Sequence, residues 1–221
     1  MGMKQGRTRI GVLGGTFDPV HVGHIALARS AQAAFGFNEI RFLPTGISWQ
    51  KGEASTPAQH RLKMVQMAIA GQDGFTLDDR EVRRGGNSYT VDTLGEMRTE
   101  FGADALLVLL LGSDQLRNLA TWRRYRELLD LAHIAVTRRE QISPVRLPEP
   151  VEALVASHGR DFLPDNPSGT IVFFGMPFVP VSATRLREQL EAGERPGELL
   201  PSGILDYIET HRLYRPTGDR S

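Results

Sequence analysis

Gly14-Gly15-Thr16-Phe17-Asp18-Pro19-Val20-His21-Val22-Gly23-His24 is the stretch of this chain whose residue types and spacing could do chemistry. It follows directly on the apolar run Ile10-Gly11-Val12-Leu13. A strand, a glycine turn and two imidazoles at the start of a helix are the parts needed to hold a nucleoside triphosphate by its phosphates while the α-phosphorus is attacked. A glycine pair after a strand lets backbone approach a ligand closely and offers unshielded N–H groups. The helix is expected to start near Val20 or His21, with its positive N-terminal end facing the same space. His21 and His24, three apart, can both point from the first turn toward one anion. Gly23 between them keeps that turn narrow, so that a ring system can pack against the backbone.

The chain has no Gly-x-Gly-x-x-Gly dinucleotide fingerprint and no Walker lysine loop. Two histidines at this spacing could suggest a metal, but no cysteine exists to complete a site and no glutamate sits beside them, so no metal ligand is assigned. A pair of structural histidines is the bland alternative, and the residues from Gly14 to Pro19 weigh against it.

A second candidate is Val181-Ser182-Ala183-Thr184-Arg185-Leu186-Arg187. Ser182 and Thr184 fall at a helix N-terminus, and Arg187 lies on the next turn with a fork suited to phosphate oxygens. Alone, this pattern reads as a capped surface helix. Arg138 and Arg139 end a strand and are placed to meet a ribose phosphate or a substrate phosphate; Lys51, in the loop after Pro44, could reach one too. All three are equally readable as solvated charges, and His60 and Arg61 as residues that cap and solvate a helix start.

The elements that must position these groups alternate. Strand-like runs at Arg9 to Leu13, Ile40 to Leu43, Phe75 to Leu77, Ala105 to Leu111, His133 to Thr137 and Ile171 to Phe174 are separated by helical patterns. Those patterns cover Ile25 to Phe35, Pro57 to Ile69, Val91 to Met97 and Arg124 to Leu131, with Leu62, Val65 and Ile69 on one face of the second. This is an α/β chain with a doubly wound parallel sheet and helices on both faces. In such sheets ligands bind outside the carboxyl ends of the strands, where the strand order reverses. Gln141 to Gly169 reads as a surface excursion around a short helix at Pro150 to Ser157, or as a plain flexible loop. Ser182 to Glu191 and Ser202 to His211 read as two helices with serine at the N-cap.

Composition removes several classes. Lys plus Arg and Asp plus Glu are 26 each, so no global field argues for nucleic acid or an anionic membrane. With no cysteine, disulfides, zinc-thiolate sites and thiol nucleophiles are excluded. The polar start and the shortness of the Ala105 to Leu111 run argue against a signal peptide or membrane span, so a cytoplasmic protein is expected. The oligomeric state stays open, a homo-oligomer included.

The first motif resembles the Thr/His-x-Gly-His signature of the nucleotidyltransferase superfamily in its adenylyltransferase form, and the second is similar to that superfamily's Ile-Ser-Ser-Thr-x-Ile-Arg clasp, with Ala183 in place of one serine. Three further stretches resemble bacterial nicotinate-nucleotide adenylyltransferases, and the likeness spans nearly the whole chain. They are Gly86-Asn87-Ser88-Tyr89-Thr90-Val91-Asp92-Thr93-Leu94, Leu111-Gly112-Ser113-Asp114 with Trp122 beyond, and the closing Leu200-Pro201 to Leu213-Tyr214. Many relatives place tyrosine directly after that tryptophan, where this chain has Arg123.

The resemblance implies one Rossmann-like nucleotidyltransferase domain over residues 1–221, with a core at about 7–180 and a small helical part at about 181–215. It implies transfer of AMP from ATP, accompanied by Mg2+, to nicotinate mononucleotide. His21, His24 and Arg187 are then catalytic. Gly14, Gly15, Thr16, Phe17, Gly112, Asp114, Ser182 and Thr184 would bind ATP. Lys51, Tyr89, Thr90, Trp122 and Arg138 would bind the pyridine nucleotide, with Trp122 stacked on the ring, a contact worth roughly 0.5–2 kcal/mol. The competing readings are a nicotinamide-mononucleotide or phosphopantetheine adenylyltransferase and, in another class, a non-catalytic nucleotide sensor.

Overall fold

The sheet is centred on β6 (Leu106–Leu111), six consecutive apolar residues of which none is more than 2% exposed. A strand apolar at every position is stable only when both its faces are covered, as in parallel sheets flanked by helices. The structure is a computed structural model, and it describes residues 7–48, 56–139 and 146–215. Before β6 come β1 (Arg9–Gly15), α1 (Val22–Phe35), β2 (Glu39–Pro44) and β3 (Ile47–Ser48). Then follow α2 (Ala58–Ile69), β4 (Phe75–Leu77), α3 (Arg80–Arg84), β5 (Asn87–Ser88) and α4 (Thr90–Phe101). After β6 come α5 (Ser113–Arg117), α6 (Leu128–Leu131), β7 (His133–Arg139), α7 (Glu149–His158), β8 (Gly159–Arg160), β9 (Ile171–Met176), α8 (Ala183–Glu191) and α9 (Ile204–Thr210).

Seven strands form one sheet in the order β4-β2-β1-β6-β7-β9-β8, and β3 pairs with β5 separately. The pairs β1–β6, β6–β7, β7–β9 and β8–β9 are parallel. The chain winds outward from β1 on one side and from β6 on the other. The doubly wound α/β sheet expected from the alternation is therefore present, with its reversal at β1 and β6. Val12 stands opposite Leu109 in that parallel pairing, so Gly14 of β1 and Gly112 after β6 lie at the same, carboxyl-terminal end of the strands.

The chain divides into two compact units. The first comprises Met1–Gly14, Ala28–Arg41 and Tyr89–Phe178. Gly11 lets β1 approach its neighbours: a Cβ there would lie 2.9 Å from Ile40 Cγ1 and 3.3 Å from the Phe37 ring. The excursion after β7 is tied down over its described part. His133, fully buried, donates from Nε2 to the Asn166 carbonyl at 2.7 Å and accepts the Thr170 N–H at Nδ1 at 3.1 Å. Arg98 caps the end of α4 through the carbonyls of Gly102, Ala103 and Ala105 and reaches those of Leu131 and Pro167. With β8 added at the sheet edge, the segment is a built element rather than a plain loop. The helix expected over Arg124 to Leu131 is broken: Arg124 is left-handed (φ +52°), a 3-10 turn covers Tyr125–Glu127, and only α6 is α-helical.

The second unit comprises Gly15–Leu27, Phe42–Ser88 and Val179–Ser221. Its α2 buries Arg61, Met64, Val65, Ala68 and Ile69, so the apolar face runs through Arg61, with Leu62 only half-buried. Ser182 is the N-cap of α8 as expected, its hydroxyl accepting the Arg185 N–H. Ser202 is not the cap of α9; Gly203 holds that position in the left-handed region (φ +77°), which glycine adopts without steric penalty.

Candidate active site

The phosphate-loop candidate lies in the second unit from Gly15 onward. After β1 the chain turns through Phe17, whose φ of +50° is uncommon for a bulky residue. Packing holds it there. The ring is 2% exposed, sits 6.0 Å from Phe42 and meets His24 edge-on at 4.9 Å. The Phe17 side chain is thus committed to the core, and its backbone is the part left for a ligand.

His21 precedes the first residue of α1, and its backbone N–H donates to His24 Nδ1 at 3.2 Å. This is the reciprocal arm of a capping box, with histidine where glutamate or glutamine is usual. An Nδ1 that accepts carries no proton, so the His24 ring proton sits on Nε2. The two imidazoles stack, centroids 3.7 Å apart and 20° between planes. Burial pushes His21 down to about 4, against a smaller opposing effect of its backbone hydrogen bond. His21 is therefore neutral at pH 7, and its buried Nδ1 has no hydrogen-bond partner among the described residues. His21 presents itself as a neutral hydrogen-bond donor rather than as a cation, and His24 offers its Nε2–H.

Both sequence motifs meet inside this unit. Arg187 Nη1 donates to the Asp18 carbonyl at 2.8 Å. A Cβ on Gly23 would lie 2.8 Å from Val181 Cγ1 and 3.1 Å from His21 Nδ1. The space Gly23 leaves is filled by the second motif and the His21 ring, which differs from the expectation of a ligand ring packed there. Ser182 and Thr184 stand at the exposed start of α8.

Two residues that hold the loop were not read as functional from the sequence. Arg61 is 1% exposed and donates to three backbone carbonyls: Thr16 (2.8 Å), Gly46 (3.1 Å) and Thr56 (3.1 Å). It is not a solvated helix cap. Burial lowers its guanidinium, and the nearby Asp18 charge opposes that shift. Tyr214 donates its hydroxyl to Asp18 Oδ1 at 2.6 Å, and burial pushes that hydroxyl well above the usual phenol range, so it stays a donor. The available signal was position 61 itself, a charge in register with the apolar residues of α2. Next to it, His60 Nδ1 lies 2.9 Å from the Tyr207 hydroxyl, which joins α2 to α9.

The first unit carries the remaining candidates. Gly14 ends its first segment, and a Cβ there would meet no atom within 4 Å. Gly112 caps α5 with its N–H on Gln115 Oε1 at 3.0 Å, and Asp114 is exposed on that helix. Tyr89 stands at the cap of α4 and Thr90 begins it. Trp122 follows a 3-10 turn over Leu119–Thr121; it is half-buried, and its Nε1 is a buried donor without a partner among the described residues. The Arg123 guanidinium lies over the Tyr89 ring, 4.5 Å from its centre. Arg138 is exposed and stacks on Phe173 at 4.6 Å. Lys51 lies outside the described residues.

The family described as cytidylyltransferase-like matches residues 12–189. A protein of Dechloromonas aromatica named "Probable nicotinate-nucleotide adenylyltransferase" is 42% identical over 212 residues, which cover 93% of this chain and 97% of that protein. A Pseudomonas putida protein of the same name is 39% identical, with 97% and 99% covered. Among solved structures, the Plasmodium falciparum nicotinic acid mononucleotide adenylyltransferase complexed with NaAD superposes with a TM-score of 0.70, covering 94% of this chain and 98% of its own. At 18% identity, that last likeness concerns the fold alone.

Proposed function

The chain belongs to the cytidylyltransferase-like family, and from that premise we infer that it transfers AMP from ATP to nicotinate mononucleotide, releasing pyrophosphate and forming nicotinate adenine dinucleotide. The names of relatives about 40% identical over nearly the full chain support the substrate pair. The observation that carries the chemistry is the stacked His21–His24 pair at the start of α1, with Arg187 of α8 bonded to the Asp18 carbonyl of the same loop.

An oxygen of the mononucleotide phosphate attacks the α-phosphorus of ATP, and the bond between that phosphorus and the oxygen bridging to the β-phosphate breaks. The attacking group is a phosphate monoester, largely dianionic at neutral pH because its second pKa is about 6. No general base is required, so the protein supplies alignment and charge stabilisation. His24 Nε2–H and a ring N–H of His21 are assigned to the α- and β-phosphate oxygens. Arg187 and the amides near Ser182 and Thr184 stabilise the departing pyrophosphate. In this reading Gly14, Gly15, Thr16 and Phe17 contribute backbone, with Gly112 and Asp114 beside the nucleotide. Tyr89, Thr90, Trp122, Arg138 and Lys51 serve the pyridine nucleotide.

Magnesium belongs to this proposal as part of the MgATP substrate. Among the described residues no group of three or more His, Asp or Glu is disposed to hold an ion. Magnesium commonly keeps several waters and uses substrate phosphates as ligands, so such a cage is not required.

Incubation with ATP, magnesium and, in turn, nicotinate mononucleotide, nicotinamide mononucleotide and phosphopantetheine tests the reading. Mass analysis should show the nicotinate dinucleotide with stoichiometric pyrophosphate. ATP binding without pyrophosphate release from any acceptor would establish the sensor reading instead.

A further inference from the structure

Arg123 stands directly after Trp122. Its guanidinium carbon lies 4.5 Å from the centre of the Tyr89 ring, and Tyr89 caps α4 immediately before Thr90. All of these residues belong to the first unit. The next residue, Arg124, is neutralised by Asp92 at 3.8 Å and by Glu127. Arg123 is different: it is exposed, and among the described residues no carboxylate lies within ion-pair distance of it. Stacking engages the face of a guanidinium and leaves the N–H groups of its rim directed outward. Trp122 Nε1–H beside it is a buried donor that no described residue satisfies. The segment therefore presents one uncompensated cation and unmet donors next to the residues proposed for the pyridine.

The acid and amide forms of the mononucleotide share ribose, phosphate and ring. They differ only in a carboxylate against a neutral carboxamide, whose NH2 group is itself a donor. A planar fork of N–H donors accommodates the first and leaves the second with donor facing donor.

We infer that the Arg123 guanidinium, held on the Tyr89 ring, donates to the pyridine carboxylate and sets the preference for nicotinate over nicotinamide mononucleotide. The inference rests on the adenylyl-transfer reading above. The other anion on the substrate, its phosphate, is common to both mononucleotides, so comparing the two separates the sources.

The test is kcat/KM for each mononucleotide at saturating MgATP, for wild type, Arg123→Gln and Arg123→Lys. Arg123→Gln is expected to reduce the acid-to-amide ratio about tenfold, the scale of one charge-assisted hydrogen bond at a partly solvated site. Arg123→Lys keeps the charge without the planar fork, and its ratio falls between the two. An unchanged ratio, or an equal loss on both substrates, overturns the assignment, the latter by moving Arg123 to the phosphate. A lysine variant with the ratio of the glutamine variant overturns charge as the cause. Wild-type protein that converts neither mononucleotide overturns the activity itself, an outcome distinct from a wild type that is active and a variant whose ratio does not move.

Discussion

Replacing Arg61 by methionine keeps an extended side chain of related volume in the buried slot and removes every N–H. The carbonyls of Thr16, Gly46 and Thr56 then lose donors now at 2.8, 3.1 and 3.1 Å. Bonds from a charged donor typically contribute ~1.5–3 kcal/mol each. Their simple sum is too large, because burying a guanidinium carries a desolvation penalty of several kcal/mol that methionine avoids. The carbonyls left without a donor and the loss of a positive charge near Asp18 act in the destabilising direction. The net loss is expected at ~3–5 kcal/mol, the range for breaking a buried charged interaction by deleting one side. For a chain of this size each kcal/mol moves Tm by about 2–4 °C. Calorimetry should therefore record a Tm lower by roughly 10 °C. Since the Thr16 carbonyl belongs to the loop proposed to hold the ATP phosphates, KM for ATP at a temperature where both proteins are folded should rise about tenfold. Arg61→Lys, one donor group in place of a fork, should fall between. A methionine variant within about 2 °C of wild type, with an unaltered KM for ATP, would refute the view that this guanidinium organises the loop.

Three further substitutions bear on the same loop. His24→Ala should lower kcat by about 10²–10³ while circular dichroism shows the fold retained; full activity would remove His24 from the phosphate contacts. Gly14→Ala should leave Tm unchanged, because the new methyl meets no protein atom within 4 Å, yet raise KM for ATP; a fall in Tm with unaltered KM would locate the need for glycine in folding. His21 has its folded value near 4 against 6.5 for an unperturbed imidazole, so the folded state binds fewer protons than the unfolded one. Its contribution is complete above pH 6.5 and is lost as pH falls from there toward 4, by roughly 3 kcal/mol at most. His133, lowered chiefly by burial, acts in the same direction. Tm measured from pH 7 to 4.5 should drop less steeply for His21→Gln than for wild type, and parallel curves would contradict the assignment.

The sheet and the strand, turn and helix start around the glycine pair were legible because both rest on local patterns. Alternating apolar runs and a glycine pair before two histidines are visible within a few residues of each other, and β6 declares itself by lacking any polar position. What stayed hidden depends on partners remote in sequence. Arg61 looks like a solvated helix start until the carbonyl of Thr16, forty-five positions earlier, is brought to it. His133 gives no sign that Asn166 and Thr170 will satisfy both ring nitrogens. At α9 the serine rule pointed to Ser202, whereas the backbone needed a left-handed residue and took Gly203. The tautomer of His24 is likewise invisible in sequence, since it follows from which backbone N–H its Nδ1 accepts.

Asp18 is gripped through its carbonyl by a residue 169 positions later and through its carboxylate by one 196 positions later. Ribosomal synthesis runs from the amino end, and early segments begin to fold as they emerge. The turn that precedes the two histidines must therefore wait in an unfinished shape until Arg187 and Tyr214 have been made. Prematurely terminated chains would carry the whole histidine motif and still lack the clamp that sets it.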